Sequence, residues 1–140
     1  MSELRLEIDL LHLERELAEQ PTQVEFWATE AANAQLEMDR AKDALAVCEA
    51  DLALAMRSDP SKFGIAKLTE DAIKANVAAS PVRETAAEAY YRARHTYAIA
   101  QGAVNALEHR KRALSNLVDL YLGQYFSNPK PNRARGIASE

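Results

Sequence analysis

Two groups of residues in this 140-residue chain have the types and spacing to bind a polyanion. The first is Arg57, Lys62, Phe63, Lys67 and Lys74, cations spread around one aromatic ring, with few acids among them beyond Asp59, Glu70 and Asp71. Lys and Arg neutralise phosphates and release counterions, and an exposed ring stacks on an unpaired base, so the mixture suits a single strand. Phe63 has a second use, as a plug with Ile65 for the end of a helical hairpin. The other group is His109, Arg110, Lys111 and Arg112. Four consecutive helical positions span more than a full turn, so at least two of these basic groups face outward in any register. Arg110 falls on an apolar stripe, where it either pairs with an acid of another helix, such as Glu37 or Asp51, or opens the stripe into a channel.

Other chemistries find less support. His12, His95 and His109 are far apart and lack the Cys or carboxylate spacing of a closed metal site. Asp9 and His12 share a face at i, i+3, the pattern of a surface contact more than of half a bundle metal centre. Gly64, Gly102, Gly123 and Gly136 stand alone, so no glycine-rich phosphate loop is formed. Neither a nucleophile elbow nor a Cys-His pair is recognisable, and Cys48 sits where a stripe wants a small apolar residue. The expectation is a non-enzyme without metal or cofactor. Tyr90 and Tyr97, seven apart and interleaved with Tyr91, Arg92, Arg94 and His95, read as core packing with hydroxyls at its edge, or as the wall of a groove.

The elements that would position these residues are helices. Val24, Trp27, Ala31, Ala34, Met38, Ala41, Leu45, Cys48, Leu52 and Ala55 recur at alternating steps of three and four, the pattern of a coiled-coil seam. A second stripe runs through Ala89, Ala93, Thr96, Ala100, Ala103, Leu107, Leu114, Leu117 and Tyr121, interrupted by Arg110. The pattern predicts a short helix at 3–19 built on Leu4, Ile8, Leu11 and Leu17 and ended by Pro21. Thr22 and Glu25 form a capping box for a second helix at 23–57. The Ser58–Lys67 connector, with Asp59, Pro60 and Gly64, breaks it. Thr69 caps a third helix at 70–79, with Leu68 stapled to Ile73, and Ser80 and Pro81 start a fourth at 81–126. The fold class expected is all-α: a long antiparallel hairpin with short N-terminal and connector helices. It forms one domain over 1–126, followed by a flexible basic tail at 127–140 carrying Lys130, Arg133 and Arg135.

The seams also predict self-association. Stripes rich in Ala bury little area per residue, at about 25 cal/mol per Å² of apolar surface, so other copies would supply core that one chain lacks. Trp27, Met38, Leu45, Leu52, Leu107, Leu114, Leu117 and Tyr121 are the expected seam contacts. Charge is uneven: residues 1–57 hold five Lys or Arg against thirteen Asp or Glu, whereas 109–140 hold six against two. Acidic and basic faces then either pair with each other or leave a basic strip for an anionic polymer. One cysteine allows no intrachain disulfide, no run of about 18 apolar residues is present, and the first residues lack a signal-peptide pattern, so a cytoplasmic setting is expected.

The run Lys67-Leu68-Thr69-Glu70, followed by Ala72 to Ala75 and Val77, resembles the UvsY-like recombination mediators of tailed bacteriophages. So does the later run from His109 to Leu114, with Leu117 to Leu120 and Tyr125-Phe126. The likeness extends from about Phe26 to Pro129 and rests on order, length and helix pattern. It implies a small helical protein that forms a homo-oligomeric ring, binds single-stranded DNA and helps a RecA-like recombinase replace single-strand-binding protein. In that family basic residues at the end of the first long helix contact DNA. Arg57 occupies that region here, Ala55 stands where a second basic residue is expected, and Lys62, Lys67 and Lys74 compensate. The rival reading is a structural or chaperone-like coiled-coil oligomer that binds no nucleic acid.

Overall fold

A three-and-four spacing turns one stripe of side chains to a single side of a helix, and helices are what this chain builds. The computed structural model describes residues 3–124. Its elements are α1 (Leu13–Ser58), a 3₁₀ turn (Pro60–Phe63), α2 (Glu70–Ala79) and α3 (Pro81–Leu122), with no strand among the described residues. The expected basic tail, with Lys130, Arg133 and Arg135, lies outside them.

The start of the chain departs from the expectation. Residues 3–9 form no helix, and α1 begins at Leu13 and continues unbroken through Pro21 to Ser58. A proline inside a helix removes the bond to the carbonyl four residues earlier, here that of Leu17, at a cost of about 3 kcal/mol. The turn before it is held by other means: Glu16 and Gln20 are buried and bonded to α3 side chains and backbone. Tertiary anchoring therefore overrides a local stop signal. Asp9 organises the entry to α1, accepting the Leu11 amide at 2.9 Å and contacting His12 Nδ1 at 2.7 Å and Arg15 Nη2 at 3.2 Å. The hydrogen bond from His12, then that from the Leu11 amide, holds the Asp9 carboxyl below its ordinary range.

The chain divides into two compact units, one continuous over Ala28–Gly102 and one that joins Met1–Trp27 to Ala103–Glu140. In the continuous unit the core is Met56, Ile65 and Ile73, surrounded by Leu52, Ala53, Phe63, Ala72 and Val77. Along α1 the stripe residues Ala34, Met38, Ala41, Leu45, Cys48 and Leu52 are half-buried and Ala31 is buried. At the helix end the inward position is Met56, 1% exposed, not Ala55, because the connector and α2 pack on the Met56 side. On α3 in this unit the inward residues are Ala87, Tyr90, Ala93, Tyr97 and Ala100, whereas Ala89 and Thr96 are exposed. The tyrosine reading as core packing thus holds for Tyr90 and Tyr97, and it displaces the stripe by one position.

In the discontinuous unit Ala103, Leu107 and Leu114 are buried, Val24, Trp27 and Leu117 are half-buried, and Phe26 meets the Trp27 ring edge-on at 5.4 Å. Tyr121 departs from the expected seam at 65% exposure. Beside it, the residues entering α1 and its first turn, among them Leu10, Leu13 and Leu17, form an open hollow with Val118 and Leu122. α3 closes at Leu122, earlier than the expected 126, where Gln124 takes a positive φ of 57°.

Candidate nucleic-acid interface

The connector is a compact turn whose one acid, Asp59, is occupied. Asp59 Oδ1 accepts from the Ser61 hydroxyl at 2.8 Å and from the Lys62 amide at 3.4 Å, with Pro60 fixing the first position of the 3₁₀ turn. Gly64 ends that turn at φ 72°, a left-handed conformation that costs a side-chain-bearing residue about 1–2 kcal/mol. Its geometry sends Ile65 into the core, where the Ile65 amide donates to the Pro60 carbonyl at 3.0 Å. Thr69 then caps α2 as the sequence predicts, its hydroxyl accepting from the Ala72 amide at 3.1 Å. The proposed staple partner Leu68 remains 48% exposed while Ile73 turns inward.

These turns leave Lys62, Lys67 and Lys74 exposed, and none of the three enters an ion pair among the described residues. Arg57 is different: its Nη2 donates to both oxygens of Glu70, at 3.1 and 3.0 Å. That pair removes Glu70 from competition for the lysines, although Arg57 itself is half-occupied by it. Phe63 is half-buried against the Met56 cluster, so most of its stacking face is spent on packing, the plug that its spacing also allows. Beside these residues lies a groove of about 560 Å³. Ala46, Ala50, Ala53, Ile73 and Val77 line it, with Arg57, Lys74 and the Arg83–Glu49 pair at 3.1 Å among its polar residues.

The second basic run, in the discontinuous unit, splits. His109, Lys111 and Arg112 are exposed, but Arg110 is 4% exposed and faces inward. Its Nη1 donates to Gln20 Oε1 at 2.6 Å, its Nη2 to the Glu7 carbonyl at 3.0 Å and to the Glu16 carboxylate. Gln20 in turn donates to the Leu107 carbonyl at 2.8 Å. Arg110 is therefore corrected from a candidate DNA contact to a buried ion-pair residue, and its acid is Glu16 rather than Glu37 or Asp51. The reason is that the segment before α1 brings Glu7, and the first turn of α1 brings Glu16, to Arg110 on α3. Glu16 was missed because a helix ending at Pro21 placed it on an isolated piece of chain.

No group of three or more His, Cys, Asp or Glu side chains that could hold a metal ion occurs among the described residues. None of their helices is long and apolar enough to cross a membrane. Comparison with known proteins finds no matching family, curated relative or solved structure.

Proposed function

We propose that this protein binds single-stranded DNA as a homo-oligomer and acts as a recombination mediator, assisting a RecA-like recombinase in displacing single-strand-binding protein. The observation that carries the reading is the set of three exposed, unpaired lysines, Lys62, Lys67 and Lys74, where Asp59 of the connector and Glu70 of α2 are already hydrogen-bonded and Asp71 is the remaining exposed acid. Unpaired ammonium groups are the ones free to exchange counterions for phosphates. Lys111 and Arg112 add a further exposed basic site. The order of the runs from Lys67 and from His109, similar to UvsY-like mediators, supports the DNA and recombinase parts of the proposal.

Pairing of Glu16 with Arg110 and of Gln20 with Leu107 supports an antiparallel course of α1 and α3, since the partner number falls as the α1 number rises. Oligomer formation is supported by apolar side chains left outside: Leu36, Val47 and Leu54 are 49, 59 and 60% exposed. At 3.6 residues per turn they share one face of α1. In a ring each subunit presents its own lysines, and weak phosphate contacts multiply through effective concentration.

The test is fluorescence anisotropy of a labelled single-stranded oligonucleotide over a salt series, with duplex competitor and the oligomer mass fixed by light scattering. Preference for single strands with a steep salt slope supports the reading. Replacing Lys62 and Lys67 together by Glu should lower that slope by about 1.4, since each phosphate left without its cation subtracts about 0.7. Absence of binding at low salt refutes it and favours a structural coiled-coil oligomer, to which the exposed leucines of α1 are equally suited.

A further inference from the structure

On α3 the side chains at 91, 94 and 95 emerge from one face, being separated by three and four residues. All three, Tyr91, Arg94 and His95, are exposed, and Tyr91 is 52% so. An outward tyrosine between half-buried Tyr90 and exposed Arg92 has no packing role comparable to that of Tyr90; its ring only leans on the Tyr90 ring, with centroids 5.8 Å apart and planes at 45°. Its basic neighbours are not all free. Arg92 is held by Glu88 at 3.4 Å, but Arg94 and His95 enter no ion pair among the described residues.

Two further features define the kind of ligand this face fits. From Ala89 to Gly102 the chain contains no Asp or Glu, in contrast to the acid-rich first helix, so an anion laid along this part of α3 meets no like charge on it. The same face continues past Tyr91 through Ala98 and Gly102, seven and eleven residues on, which place almost no side chain in the way over about 16 Å. A Cβ built at Gly102 would meet nothing within 4 Å. A flat ring, one free guanidinium and an open strip suit an unpaired base followed by its sugar-phosphate backbone, since stacking is indifferent to base identity and cations hold the phosphates.

We infer that Tyr91, Arg94 and His95 form a contact for single-stranded nucleic acid separate from the connector lysines, with Tyr91 as the stacking platform. This rests on the DNA-binding reading and adds to it a residue role that the connector cannot fill, because Phe63 is committed to the core.

The test uses the full chain, an oligothymidine probe, anisotropy across a salt series and light-scattering mass, with helicity checked by circular dichroism. Tyr91→Ala should weaken binding about 5- to 150-fold at fixed salt with an unchanged salt slope. Tyr91→Phe should bind like the parent, and Arg94→Gln should lower the slope by about 0.7. Parent-like binding by Tyr91→Ala and Arg94→Gln, with the salt slope lowered on reversal of Lys62 and Lys67, overturns this inference and leaves the DNA-binding reading standing. Failure of the parent protein to bind at all overturns both. A fall in oligomer mass for Tyr91→Ala overturns it by making this face a contact between copies of the chain.

Discussion

Arg110 and Glu16 are nearly without solvent contact, at 1% and 0% side-chain exposure, and two charges taken out of water offset their desolvation only when their remaining polar atoms are also satisfied. Here they are satisfied in part: Arg110 Nε and Glu16 Oε1 have no hydrogen-bond partner, with Arg5 Nη2 3.6 Å from the latter. Removing one member strands the other, so Arg110→Ala should cost about 3–5 kcal/mol in urea unfolding. The double change Arg110→Met with Glu16→Met should cost less than Arg110→Ala, because no charge is then stranded and only Gln20 Oε1 and the Glu7 carbonyl lose their donor. Asp9 gives a smaller, pH-dependent effect. Its folded pKa is depressed, so its contribution is fully present above the ordinary value of 3.8 and is lost as pH falls through the lower folded value. An NMR titration following the Leu11 amide should show the hydrogen bond surviving below pH 3.8 and absent at every pH in Asp9→Ala, which removes the acceptor. Among the site residues, the exposure of Lys62, Lys67, Lys74, Lys111 and Arg112 was legible from charge and spacing alone. The burial of Arg110 was half legible: its place on the stripe was plain, its partner was not, since that depended on a segment 94 residues away.

At the scale of elements, local chemistry wrote the boundaries from the end of α1 to the start of α3 correctly. Thr69, Ser80, Pro81 and the Asp59-Pro60 pair mark α2, the start of α3 and the connector with no help from the rest of the chain, because caps and proline act within a few residues. Pro21 is where such reasoning fails, for its effect was weighed against local signals while the structure weighs it against buried Glu16 and Gln20. Pro21→Ala should therefore stabilise the protein, by up to about 3 kcal/mol, as the Leu17 carbonyl regains a helical donor. Thermal unfolding checks this, and a loss of stability would mean that the proline serves the fold at that position. Gly64→Ala should act oppositely, costing about 1–2 kcal/mol through its φ of 72° although open space surrounds the position. The α1 stripe was read to within one residue over its length. The α3 stripe slipped at Ala89 and Thr96 because alanine-rich sequence marks two adjacent faces about equally, and the larger Tyr90 and Tyr97 decide which one turns inward.

For the molecule as a whole, the exposed row of Leu36, Val47 and Leu54 predicts that one chain is not the working unit. Leu54→Glu should lower the mass measured by light scattering while leaving helicity unchanged, and an unaltered mass would remove this face from the proposed assembly. The two compact units differ in connectivity in a way that composition never hinted at. Residues 28–102 form theirs from one uninterrupted stretch, whereas the other is closed by hydrogen bonds such as Gln20 to Leu107 and Arg110 to Glu7, separated by 87 and 103 residues. During synthesis the whole of the 28–102 stretch is available once Gly102 is clear, whereas Glu16 has no partner until Arg110 has been made. Order of synthesis and order of closure thus differ: Glu16 is made before the 28–102 stretch, and its partner Arg110 after it.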